Sequence, residues 1–202
     1  MRKKTITIFE YSELTPTAQK KVLDKMRDWQ VDDYDWYESE LDYWKEKLDL
    51  IGFENAKIAF SGFSSQGDGA SFTADVNIEK LLSSIIYRAT KYKNARIFEL
   101  VSLLHDKNAI NIHLAKNHWG THYSHERTIS LNVDIDYPYE SGSFWPKIVE
   151  QFENALDDFR IDLCHAIYKS LESEYDYLTS DESIIEMIEA NDYEFTINGE
   201  LA

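Results

Sequence analysis
Apolar and polar residues alternate with period two in several short stretches. "KKTITIF" sets Ile6 and Ile8 against Thr5 and Thr7, and "SFTADVNI" repeats Phe72, Ala74, Val76 and Ile78. "AINIHLA" carries Ile110, Ile112 and Leu114, and "RTISLNVDID" carries Ile129, Leu131, Val133 and Ile135. This period predicts half-buried strands, with "AKIAFSG" a further one. Elsewhere the period is helical. Thr15 and Pro16 open a helix as N-cap and first residue, with Ala18, Val22, Met26 and Trp29 on one face. After the polar break "VDDYD", a second stripe follows through Tyr37, Leu41, Trp44, Leu48 and Ile51, closed by Gly52. These two read as a packed pair joined by a short turn. "EKLLSSIIYRAT" and "ARIFELVSLLHD" read as a second pair.

The longest helical pattern covers about residues 144–176, with an apolar stripe from Trp145 through Phe152, Leu156 and Leu163 to Ile167. Glu150, Glu153 and Asp157 lie on its opposite side. "TSDE" at 179–182 forms a capping box for a short helix through Glu189. "YEFTINGEL" reads as a last edge strand or hairpin. Short links between strands predict an α+β fold: a mainly antiparallel sheet, helical pairs on one face and a long acidic C-terminal helix. No repeat or proline-rich linker divides the chain, so one domain over 1–202 is expected.

Charge adds what periodicity does not show. The net charge is -16, and from Asp134 onward there are 18 acidic residues against three Lys and Arg. The earlier residues are close to neutral. Such a field repels nucleic acid and membrane surfaces and attracts basic ones. A basic host or defence protein is therefore the expected partner, such as a nucleic-acid-binding effector or a toxin. Glu150, Glu153, Asp157 and Asp158 are the candidate contacts. One cysteine, Cys164, allows no internal disulfide. No apolar run nears the roughly 20 residues of a membrane span, and no leader pattern opens the chain. A cytoplasmic location is the expectation.

Two segments hold candidate chemistry. "FSGFSSQGDGASF", residues 60–72, concentrates three of the seven glycines between two predicted strands. Backbone N–H groups in such a turn can cradle an anion, with Ser65, Gln66, Asp68 and Ser71 as polar partners. It has no Walker lysine and no G-x-G-x-x-G, and a strand follows rather than a helix. A long hairpin loop whose glycines supply positive φ is the competing reading. "HWGTHYSHE" supplies His118, His122, Tyr123, His125 and Glu126. If a strand starts near Thr121, period two sends His122 and Glu126 to one face and His125 to the other, so a metal site is not expected. Neither a cofactor nor a catalytic residue is assigned. Cys164 borders the apolar stripe, where a thiol is inert. Asp157/Asp158 and Asp32/Asp33 read as solvated carboxylates.

"YSELTPTAQKKVLDKMRDWQVDDYDWYES", "FSGFSSQGDGASF", "HYSHE" and "YDYLTSDESIIEMIEANDYEFTINGEL" together resemble a family of small phage and prophage proteins, often labelled antitoxins of toxin–antitoxin systems. The resemblance implies a mobile-element origin and an accessory role: neutralising a toxin or, as anti-CRISPR proteins do, a host defence protein. It marks Ser65–Phe72 and His122–Glu126 as family features, and so as parts of one structural or ligand-binding feature. Two functions stand: an acidic inhibitor that imitates nucleic acid, or a protein that sequesters or cleaves a nucleotide or signalling molecule at the glycine loop.

Overall fold
A computed structural model describes residues 7–32, 35–89, 101, 109–117, 123–137 and 144–202. The fold is α+β. Its helices are α1 (Pro16–Met26), α2 (Glu38–Leu50), α3 (Ile78–Ala89), α4 (Trp145–Leu178) and α5 (Asp181–Ala190), and its strands are β1 (Phe53–Ser61), β2 (Gly69–Val76), β3 (Ile110–Lys116) and β4 (Ile129–Ile135). The segment "ARIFELVSLLHD", apart from Val101, lies outside the described residues, as do most of "KKTITIF", His118 and His122. The chain forms two compact units: Met1–Glu38 with Leu171–Ala202, and Ser39–Ser170.

In the unit of the two chain ends, Thr15 caps α1 by accepting from Ala18 N–H. The helix buries Ala18, Val22, Leu23 and Met26 against Ile184 and Ile188 of α5 and Phe195. The apolar face of α1 thus finds a matching stripe at the far end of the chain, in α5. Ser180, one residue after the expected Thr179, is the N-cap of α5 and accepts from Ser183 N–H at 3.2 Å. Thr179 turns its hydroxyl back to the Tyr175 carbonyl. Phe9 bridges Phe195, and Phe195 bridges Leu201, so the expected terminal hairpin forms as isolated bridges.

Among the described residues, the Ser39–Ser170 unit holds two antiparallel strand pairs, β1–β2 and β3–β4, with no ladder joining one pair to the other. The sequence suggested one sheet. β2 meets β3 and the 3-10 turn Glu126–Thr128 by packing rather than through a ladder. The residues from Gly69 to Phe72 are consequently all buried, and of the expected alternation in β2 only exposed Asp75, between half-buried Ala74 and Val76, is seen. β3 and β4 keep theirs, with Ile110 opposite Ile135 and Ile112 opposite Val133. Phe53 and Phe72 meet edge to face, with ring centroids 5.2 Å apart. The α4 stripe buries Phe152, Leu156, Leu163 and Ile167.

Candidate functional site
The glycine loop closes the β1–β2 hairpin, with Ser61 paired to Gly69. A loop of this length needs internal fastening, and Asp68 supplies it. Its Oδ2 accepts from Ser64 N–H at 2.9 Å and Ser65 N–H at 2.6 Å, while its own N–H donates to the Ser65 carbonyl. The carboxylate folds over Gly62, where a Cβ would lie 2.8 Å from Oδ2. The turn thus gathers backbone donors around an anion, and the anion is the protein's own. Ser64, Ser65 and Gln66 are exposed at the tip, whereas Ser71 is buried in β2.

The structure brings this loop against the histidine segment. Ser61 Oγ accepts from Ser124 N–H at 3.0 Å. The Tyr123 ring covers Gly67, and a Cβ on Gly69 would stand 2.7 Å from His125 Cβ and 3.0 Å from His125 Cα. Only a residue without a side chain permits that approach. Phe63 stacks on Phe60 and meets Tyr168 of α4, with centroids 5.5 Å apart.

No strand runs through Glu126. The 3-10 turn Glu126–Thr128 intervenes, so strand parity from Thr121 does not govern these side chains. His125 begins that turn: its Nδ1 accepts from Arg127 N–H at 3.2 Å, and its carbonyl accepts from Thr128 N–H and Oγ1. An accepting Nδ1 has no proton to offer Glu126 Oε2, 3.9 Å away, so proximity here is not an ion pair. His165 Nε2 lies 3.8 Å from the same carboxylate and Arg127 Nε 3.5 Å from Oε1.

Arg160, only 3% exposed, fixes this turn to α4. Its Nη1 donates to the Glu126 carbonyl at 2.8 Å and its Nε to Asp157 Oδ1 at 2.7 Å. Sequence reasoning missed Arg160. The signal was present, since four-residue steps place it between Leu156 and Cys164 on a buried line. Burial pushes the Cys164 thiol up to about 11, and nearby Glu126 adds to this although the Arg160 cation opposes it. The thiol is held protonated and is a poor nucleophile. Among the described residues no group of three or more His, Cys, Asp or Glu is placed to hold a metal.

Of the four acidic candidates, Asp157 is engaged by Arg160. Glu150 and Asp158 are exposed, and so is Asp162, which the sequence reading had not singled out. Burial and the neighbouring Glu150 raise the affinity of the Glu153 carboxyl for its proton. At 1.5 Å per residue, Glu150 and Asp158 lie about 12 Å apart along α4 and Asp162 about 6 Å beyond.

A family model described as "Domain of unknown function (DUF8835)" matches residues 36–181. No curated protein matches the chain. No solved structure matches it either. No described helix is long and apolar enough to cross a membrane.

Proposed function
The chain belongs to the DUF8835 family, a domain of unknown function, and from that premise we propose that it is an accessory protein of phage or mobile-element origin that binds and inhibits a basic host or defence protein in the cytoplasm. The observation behind this reading is that Glu150, Asp158 and Asp162 are exposed on α4, spread over about a third of its circumference. Carboxylates repeated along a rigid rod imitate the regular charge of a nucleic-acid backbone. Complementary charge speeds encounter and is weakened by salt. The test is binding to a nucleic-acid-binding effector in its free and nucleic-acid-bound forms. Capture should be strong at about 50 mM salt, fall steeply by about 0.5 M, and be lost in the variant Glu150→Gln, Asp158→Asn, Asp162→Asn. Binding indifferent to salt and to this variant would end the proposal.

A second reading rests on the meeting of the loop with the histidine segment. The exposed Gln66 amide stands one residue from Gly67, which the half-exposed Tyr123 ring covers. An aromatic face and an amide suit a nucleobase, and this reading makes the protein a sequestering partner of a nucleotide or signalling molecule. Thermal-shift measurements with nucleotides decide it. A stabilisation that disappears in Tyr123→Ala supports the reading, and no shift with any nucleotide removes it.

A further inference from the structure
We propose that Asn198 is a deamidation site which the fold guards, and that its modification is a one-way record of the segment 195–201 having lifted from α1. This is independent of the binding readings above and concerns the unit of the two chain ends. Asn198 is exposed and is followed by glycine. In an Asn-Gly pair no side chain hinders attack by the glycine nitrogen on the asparagine amide. Gly199 N–H would lose its proton to solvent, its nitrogen would bond to Asn198 Cγ, and the side-chain nitrogen would leave as ammonia with a proton from solvent. Water then opens the imide ring at either carbonyl and leaves aspartate or isoaspartate at position 198. Water is the only co-reactant, and nothing is oxidised or reduced.

The turn holds that nitrogen back. Gly199, at φ +72°, donates its N–H to the Thr196 carbonyl at 2.8 Å. The carbonyl of the same peptide group, that of Asn198, accepts from Lys21 Nζ at 3.2 Å. Both ends of the reacting group are therefore tied. Thr196 is fixed in turn, since its N–H donates to the Glu200 carbonyl and its Oγ1 accepts from Glu200 N–H. The Glu200 carboxylate holds Lys21 and Lys25 of α1. An ammonium beside the Asn198 carbonyl would favour loss of the Gly199 proton, but that proton is engaged by Thr196 while the turn stands. Attack thus needs the peptide group to rotate out of these bonds, and it proceeds from the opened segment. Isoaspartate carries the main chain through its own side chain and lengthens it, so Gly199 N–H no longer meets the Thr196 carbonyl. A carboxylate at position 198 also competes with Glu200 for Lys21. A segment modified while open does not close as before.

The test ages the full chain in mildly alkaline buffer, below its melting transition, beside a synthetic peptide of residues 194–202, and follows position 198 by peptide mass spectrometry. The protein should react at least about tenfold more slowly than the peptide, and the ratio should match, within about threefold, the open fraction read from amide exchange at Gly199. That comparison is sharp because one N–H governs both processes. Glu200→Gln should raise the rate about threefold. Lys25→Gln, which leaves the Lys21 bond to Asn198 in place, should raise it as well. Asn198→Gln should stay unmodified and keep wild-type exchange at Phe195, whereas aged protein bearing isoaspartate should exchange faster there. The proposal is overturned if protein and peptide react at one rate, or if Lys21→Gln slows the reaction, which would make the lysine a promoter in the closed turn. It is overturned equally if Asn198 stays intact where Gly199 exchanges as fast as in the peptide, or if isoaspartate leaves exchange at Phe195 unchanged.

Discussion
A carboxylate in a serine- and glycine-rich turn can serve a ligand or the turn itself, and Asp68 serves the turn. Its bonds to Ser64 and Ser65 N–H are charge-assisted. Asp68→Ala should destabilise the Ser39–Ser170 unit by about 1–2 kcal/mol, because the loop's N–H groups can turn partly to water. Urea unfolding measures this, and an unchanged midpoint would show the fastening to be idle. Gly69 makes the sharper case. A methyl group there meets the backbone of His125 at 3.0 Å, so Gly69→Ala should cost about 1–3 kcal/mol through forced separation of the loop from the turn. The sequence showed the two segments as chemistry-bearing types but not what they do. Spacing reveals that Gly67 and Gly69 are needed somewhere, and only the fold shows that Tyr123 and His125 are what they accommodate. Arg160 illustrates the same limit. Its place on a buried line could be read from periodicity, whereas its partner, the Glu126 carbonyl, could not.

At the scale of elements, local signals worked where local physics decides. Thr15–Pro16 begins α1, the helix expected near residues 144–176 is α4, and the strands β3 and β4 keep the expected alternation. Pairing between elements was harder, because apolar stripes are interchangeable until the chain is folded. α1 thus packs on α5, which no local signal links to it. What secures that arrangement at the C-terminal end is charge. Glu200 receives Lys21 at 2.6 Å and Lys25 at 2.7 Å, and Lys21 also donates to the Asn198 carbonyl. Hydrogen bonds and attraction from the two lysines hold the Glu200 carboxyl at about 2, below its ordinary 4.5. A carboxyl lowered on folding contributes stability above its unfolded value and loses it as pH falls through the folded one. The segment 195–201 should therefore loosen on α1 between about pH 4.5 and 2. Amide exchange at Phe195 and Gly199 reads this directly. In Glu200→Gln the step should vanish, leaving faster exchange at neutral pH, and high salt should blunt the wild-type step because all three groups are solvent-exposed. A step that survives in Glu200→Gln would assign it to another group.

For the whole molecule, the contrast of interest is between continuous chain and divided packing. The core of Leu14, Val22, Met26, Ile184, Ile188 and Phe195 draws every member from the unit of the two ends. The family match, residues 36–181, takes in all of Ser39–Ser170 and leaves α1 and most of α5 outside. A sequence without a linker suggested one domain, since composition records no boundary when a helix such as α4 runs across it. Separate cores imply separately tunable stability. Gly199 offers a probe in one unit: its φ is +72° and a Cβ would sit 2.8 Å from the Ala18 carbonyl oxygen. Gly69 offers a probe in the other. Calorimetry should resolve two transitions, with Gly199→Ala lowering one and Gly69→Ala the other. The shift should be about 4–8 °C for each kcal/mol lost in the smaller terminal unit and about 4 °C in the larger Ser39–Ser170 unit. If either substitution moves one common transition, α4 couples the cores into a single cooperative unit, and the division describes geometry alone. If two transitions appear, the acidic face from Glu150 to Asp162 should still bind its partner above the melting point of the terminal unit, because all of its residues belong to Ser39–Ser170.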